Sequence, residues 1–203
     1  MIKLYIYNPL YQSIKQNLLG IPCLALVLGR TGRVDDRGVD HRAALEQQSA
    51  LLERYVAAWR ECLARLPKID EALLLRDYHK DNLLWLPTRP GARACGLLDF
   101  QDAQRGHPSY DLVSLIEDAR RDVAPAVHAA CLERYIGECG LGDPEDFRTG
   151  FALMAAQRHA RIIGLFVRLR DRDGKPDYLR HLPRIEGYVR RNLAHPVLSG
   201  LKG

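Results

Sequence analysis

The sequence predicts a mainly α-helical fold carrying a small β-hairpin. Apolar residues three or four apart recur over residues 43–66, 109–119, 125–139, 151–169 and 179–192, which is the signature of amphipathic helices. Only two runs look like strands, one around Leu73 to Trp85 and its echo around Gly96 to Asp102. They are short, apolar and bordered by turn-forming residues. The 203 residues, 47% hydrophobic and 27% charged, suit one globular domain or two small ones.

The first 41 residues read as a leader of uncertain structure. Leu18 to Gly29 is apolar but too short to span a membrane, and Pro22 interrupts it. The polar segment before it and the lack of a small-x-small cleavage site argue against a signal peptide. It is expected to be a strand or a buried helix. Arg30 to Arg42, charged and holding Gly32 and Gly38, reads as a loop.

A helix is expected over Ala43–Leu66, with Leu45, Leu52, Tyr55, Val56, Trp59, Leu63 and Leu66 on one face. Pro67 ends it, because proline lacks an amide donor and restricts the residue before it. The strand runs follow, with Pro87-Thr88-Arg89-Pro90-Gly91 as the hairpin turn, and β structure is expected nowhere else. Pro108 or Ser109 opens a helix with Leu112, Leu115, Ile116 and Ala119 inward. Pro125 opens another that runs to Gly140, with Val127, Cys131, Tyr135 and Ile136 on one side. A long helix buries Phe151, Met154, Ala155, Ile162, Leu165, Phe166 and Leu169. Its opposite face carries Arg158, Arg161, Arg168 and Arg172, a solvated face or a rim for acidic ligands. After the turn Asp173-Gly174-Lys175-Pro176, a last helix covers Leu179–Asn192, with Leu182, Ile185, Tyr188 and Val189 inward.

A formal charge of +5 is mild. It suits a protein that handles anionic small molecules. No dense Arg/Lys block interleaved with aromatics is present, so nucleic acid and membrane are not expected partners. The five cysteines, 23, 62, 95, 131 and 139, are odd in number and show no Cys-x-x-Cys spacing. They read as buried reduced thiols of a cytoplasmic protein.

Chemistry gathers in one stretch and its echo: Leu73 to Trp85, then Gly96 to Asp102. Asp77 and Asn82 stand in Arg-Asp-x-x-x-x-Asn. That spacing lets two side chains of one tight turn face the same site. An aspartate there can orient a hydroxyl and accept its proton, and an asparagine oxygen can bind magnesium. Asp99, at the end of the next strand run, can chelate the metal that bridges a nucleotide's phosphates. Placing three such polar groups at the ends of buried strands would be costly without partners. A lone Asp-x-x-x-x-Asn is common by chance; flanking apolar strands and a following Leu-Leu-Asp-Phe make it far more specific.

Leu75 to Asn82, Leu97 to Ala103 and Gly106 to Leu115 together resemble the aminoglycoside-phosphotransferase and choline-kinase-like superfamily, small-molecule relatives of the protein kinases. Leu-Asp-Phe-Gln-Asp-Ala and Tyr-Asp-Leu-Val-Ser-Leu are most similar to bacterial kinases that phosphorylate N-acetylmuramate and N-acetylglucosamine at the anomeric hydroxyl. The resemblance covers about Arg42 to Leu198 and implies a kinase-like C-terminal lobe over residues 42–203. It implies Asp77 as catalytic base, Asn82 and Asp99 as ligands of magnesium that carries ATP, and Asp111 as a brace accepting backbone amides of the loop. His79 would pack or hydrogen-bond locally. Arg76 would support a neighbouring acidic group or be merely exposed. Gln101 and Asp102 would touch the substrate, a small sugar or amino-alcohol.

One half of such an enzyme is not visible in these residues. No Gly-x-Gly-x-x-Gly precedes Asp77, and neither Lys3 nor Lys15 lies in a Val-Ala-x-Lys strand. The leader would then be a remnant or replacement of the ATP lobe, with a missing segment or a partner supplying that lobe. The competing expectation is a non-catalytic small-molecule-binding module derived from the same lobe. A protein kinase is disfavoured, because Asp99-Phe100 continues into Gln101-Asp102 with no room for an activation segment before Pro108.

Overall fold

The computed structural model describes residues 41–202. The apolar run Leu18–Gly29 and most of the loop expected up to Arg42 lie outside them. His41 and Arg42 are already helical. The element order is α1 (His41–Ala64), β1 (Ala72–Leu74), β2 (Leu83–Trp85), β3 (Cys95–Leu97), β4 (Gln104–Gly106), α2 (Ser109–Ile116), α3 (Pro125–Cys139), α4 (Pro144–Asp173) and α5 (Leu182–Leu193), with short 3-10 turns between them. The fold is mainly helical with two small antiparallel strand pairs. By its contacts the chain divides into two units, one over Pro67–Ala155 and one that joins α1 to the residues from Ala156 onward.

In the second of these, α1 packs against the 3-10 turn Pro196–Leu201. Trp59, Cys62, Ile162, Phe166, Ile185, Tyr188 and Leu198 form its core. The His159 ring stacks on Tyr188 at 5.1 Å between centroids, and Phe166 meets Tyr178 at 5.3 Å. Arg158 does not belong to a solvated face: it is only 8% exposed, beside buried Gln157 and His159. Arg168 and Arg172 are exposed, and Arg161 lies between. The expected last helix starts later, at Leu182, because Pro176–His181 form a 3-10 turn first.

The Pro67–Ala155 unit carries both strand pairs. β2 and β3 form the expected hairpin, in the register Leu83↔Leu97 and Trp85↔Cys95. β1 pairs instead with β4, in the register Ala72↔Gly106 and Leu74↔Gln104. β4 corrects the expectation that strands occupy only apolar runs. Gln104-Arg105-Gly106 has no apolar pattern, and its extended conformation comes from backbone pairing with β1. The runs are not buried strands either. Leu74 is 3% exposed, but Leu73 is 69%, Trp85 76% and Phe100 57% exposed. Successive strand residues point to opposite faces: in β1 only the face of Leu74 is covered, and in the β2–β3 pair the neighbours Leu84, 46% exposed, and Trp85 leave both faces open. Helix α3 ends at Gly140 in the left-handed conformation, φ 59°, as the sequence suggests. Its expected inward residue Val127 is 52% exposed. The cysteines need a similar correction. Cys62 is buried, while Cys95 and Cys139 are exposed and Cys131 is half-buried; all four described thiols are free.

The start of α2 is fixed by a buried histidine. His107 is 3% exposed and lies against Phe147, with ring centroids 6.1 Å apart. Its Nδ1 accepts from the Ser109 amide at 3.2 Å and lies 2.8 Å from Ser109 Oγ. The ring also fills the space beside Gly150 of α4: a Cβ at Gly150 would stand 2.2 Å from Nε2. Burial holds the His107 pKa down at about 4, against 6.5 for a free imidazole. Between those values the unfolded chain binds a proton that the folded chain refuses, so stability falls as pH drops below about 6.5. From pH 6.5 to about pH 5 the expected loss is about 2 kcal/mol. Urea unfolding should show that slope in the native chain and lose most of it in His107→Asn.

Candidate active site

The loop between β1 and β2 begins with a sharp reversal. Asp77 N–H donates to Leu75 O at 2.9 Å and His79 N–H to Asp77 O at 3.0 Å. Arg76 sits at φ 69°. A left-handed backbone is costly for a residue with a long side chain, by about 1 kcal/mol or more, and needs outside support. Asp111 of α2 provides it. One carboxylate oxygen accepts from Leu75 N–H at 2.6 Å and the other from Arg76 N–H at 3.0 Å. A helix packed below the loop thus holds the two residues that precede Asp77. Charge-assisted bonds to backbone amides are about twice as strong as neutral ones.

Asn82 closes the same loop. Its side-chain nitrogen donates to Asp77 O at 3.0 Å, and its backbone amide donates to His79 O at 2.9 Å. On the other side Leu98 N–H donates to Asn82 O at 2.9 Å. That bond carries the β2–β3 register one residue further and sets Asp99 just beyond the end of β3, next to Asn82. Asp99 is itself left-handed, φ 53°. The structure therefore brings Asp77, Asn82 and Asp99 into one neighbourhood through backbone hydrogen bonds. Asp77 and Asp99 are exposed and Asn82 is half-buried, so the burial cost expected for this trio does not arise. Solvent-facing carboxylates are open to a ligand.

Around this trio the remaining residues differ in how closely they are held. Arg76 Nη1 lies 3.8 Å from Asp102 Oδ2. Gln101 is exposed in the turn that Ala103 N–H closes on Phe100 O at 3.1 Å. His79 is mostly buried, and its Nε2 lies 3.4 Å from Asn82 Nδ2. Burial holds its pKa below the usual imidazole value; the positive charge of Arg120 adds to this, while Asp118, Asp81 and Asp77 oppose it. Burial also raises the Tyr78 phenol beside Cys95. Asp118 is a buried carboxylate that sequence reading missed. It accepts from Arg120 N–H at 2.8 Å and faces Arg121 Nε at 3.5 Å. Its signal, an acidic residue just past a helix end and followed by two arginines, is too common to single out.

These donors suit a hard cation. Asn82 Oδ1 and the Asp99 carboxylate are oxygen ligands of the kind magnesium takes, and the amide nitrogen of Asn82 is turned away toward Asp77 O. A family model described as a phosphotransferase enzyme family matches residues 23–148. The chain belongs to that family. The match starts ahead of Arg42 and takes in the whole of the Asp77–Asp99 neighbourhood. The chain is also 42% identical over 154 residues to an N-acetylmuramate/N-acetylglucosamine kinase of Caulobacter vibrioides, covering 76% of this chain and 42% of that one. A protein of the same name from Pseudomonas aeruginosa is 41% identical over 134 residues, 62% of this chain and 38% of the relative. A third, from Neisseria meningitidis, is 40% identical over 122 residues, 57% and 35% of the two chains. The chain thus spans about two fifths of the length of these relatives. Among the described residues, no helix is long and apolar enough to cross a membrane.

Proposed function

We propose that this chain is the acceptor- and metal-binding lobe of an ATP- and magnesium-dependent phosphotransferase acting on a hydroxyl of a small amino sugar, such as N-acetylmuramate or N-acetylglucosamine. The observation that carries the reading is the loop in which Asn82 is hydrogen-bonded to the Asp77 carbonyl while Asp111 grips the two residues before Asp77. Asp77 orients the acceptor hydroxyl and takes its proton. Asn82 and Asp99 hold the magnesium, which neutralises charge on the transferred phosphoryl group. Phosphoryl transfer asks for little beyond such positioning and charge stabilisation. Arg76 and Asp102 shape the rim on the acceptor side, and Gln101 reaches the sugar from the same turn.

A nucleotide-binding lobe, supplied by a further segment or by a partner, completes the enzyme in this reading. Support comes from Leu73, Leu84, Trp85, Leu97, Leu98 and Phe100, all exposed and all on or beside the strands that flank the site. Six exposed large apolar side chains within about thirty residues support a surface that is covered in the working state. Free thiols and a cytosolic phosphoryl donor support a cytoplasmic location. The test is calorimetric titration with Mg-ATP, followed by transfer assays with N-acetylmuramate and N-acetylglucosamine in the presence of the nucleotide lobe of a relative. Mg-ATP binding and transfer to one of these sugars are expected. Sugar binding with no transfer would favour a non-catalytic module instead.

A further inference from the structure

Asn82 has an amide whose orientation is settled by its neighbours. Asp77 O can only accept, so the nitrogen of Asn82 must be the atom that faces it at 3.0 Å. The other hydrogen on that nitrogen points to His79 Nε2 at 3.4 Å. Nδ2 can only donate, so Nε2 must accept, and the ring proton must sit on Nδ1. Nδ1 is buried, has no hydrogen-bond partner among the described residues, and looks toward the Asp81 carboxylate at 4.0 Å. With both amide hydrogens directed at Asp77 O and His79 Nε2, the carbonyl oxygen Oδ1 is turned away from the loop.

We infer that His79 is a positioning residue: its unprotonated Nε2 holds the Asn82 amide so that Oδ1, not Nδ2, faces the metal. The inference rests on the proposed reading of Asn82 as a magnesium ligand and adds the residue that fixes its orientation. Without His79 the amide keeps one anchor, Asp77 O, and the side chain can swing about it. Residues that orient a metal ligand from behind cost about 10–100-fold in metal affinity when removed. His79 touches neither metal nor substrate in this arrangement, so it is not itself a catalytic residue.

Two measurements on the full chain decide this. Nitrogen-15 spectra of the His79 ring should show the Nδ1–H tautomer, with Nε2 unprotonated; the Nε2–H tautomer overturns the inference whatever the metal does. Manganese binding followed by electron paramagnetic resonance, with the metal alone as probe, should weaken about tenfold in His79→Leu and recover most of that in His79→Gln, whose Oε1 restores an acceptor near the same place. Unchanged manganese affinity in His79→Leu, together with a loss in Asn82→Ala, overturns the role of His79 and leaves the metal reading standing. Unchanged affinity in both Asn82→Ala and Asp99→Ala overturns the metal reading and the inference with it. If His79→Leu does not fold, the tautomer of the native ring and the manganese affinity of His79→Gln decide between these outcomes.

Discussion

Asp111→Ala should unfold the loop that carries Asp77 and cost about 2–4 kcal/mol of stability. The carboxylate accepts two backbone amides, at 2.6 and 3.0 Å. Hydrogen bonds to a charged group contribute about 1.5–3 kcal/mol each, reduced here because the group is only half-buried. Truncation leaves the Leu75 and Arg76 amides without an acceptor just where Arg76 is held at φ 69°. That conformation would relax once its support is gone, and Asp77 would move with it. Urea unfolding measures the first effect, and transfer to N-acetylmuramate in the completed enzyme measures the second. Asp111→Asn should fall between, because an amide can accept one of the two bonds but presents a donor to the other. Full stability and full transfer in Asp111→Ala would mean that the loop is held from elsewhere.

Asp77→Asn should do the opposite: leave the fold alone and stop the chemistry. The Asp77 side chain is exposed, and the contacts that tie this residue into the loop run through its backbone. An exposed isosteric change away from packing shifts stability by no more than about 0.5 kcal/mol. Losing a general base lowers the rate by roughly 10²- to 10⁴-fold. Single-turnover transfer with saturating Mg-ATP would read the rate directly, with manganese affinity as the control. A variant that keeps full transfer to every sugar tried would remove Asp77 from the role proposed for it.

Most helices could be read because apolar residues recur at helical spacing; α3, which buries none of its residues fully, was read from its ends. Trp59, Phe151, Met154, Ile185 and Tyr188 fall where the spacing puts them, and Pro125 and Gly140 bound α3 as local backbone chemistry requires. The hairpin was legible from its turn residues. What escaped had no local signal. β4 is extended only because β1 lies beside it, and nothing in Gln104-Arg105-Gly106 says so. Arg158 is buried by tertiary packing that a helical wheel does not contain. The apolar strands misled in the other direction: hydrophobicity predicts that a side chain seeks cover, not that the described residues supply it. At the candidate site, residue types and spacing pointed to Asp77, Asn82 and Asp99, and the family resemblance to Asp111, but the direction of the Asn82 amide and the place of His79 behind it emerge only from hydrogen bonds.

The contact between His107 and Gly150 makes two distant positions in the chain a single evolutionary character. The imidazole occupies the volume that any side chain on Gly150 would need. Ala at position 150 is therefore tolerated only in a lineage that has first shrunk position 107. A smaller residue there in turn opens a void that favours regaining bulk on α4. Substitutions at the two positions should be found together and in that order, and Gly150→Ala introduced alone should be rescued by a compact residue at 107.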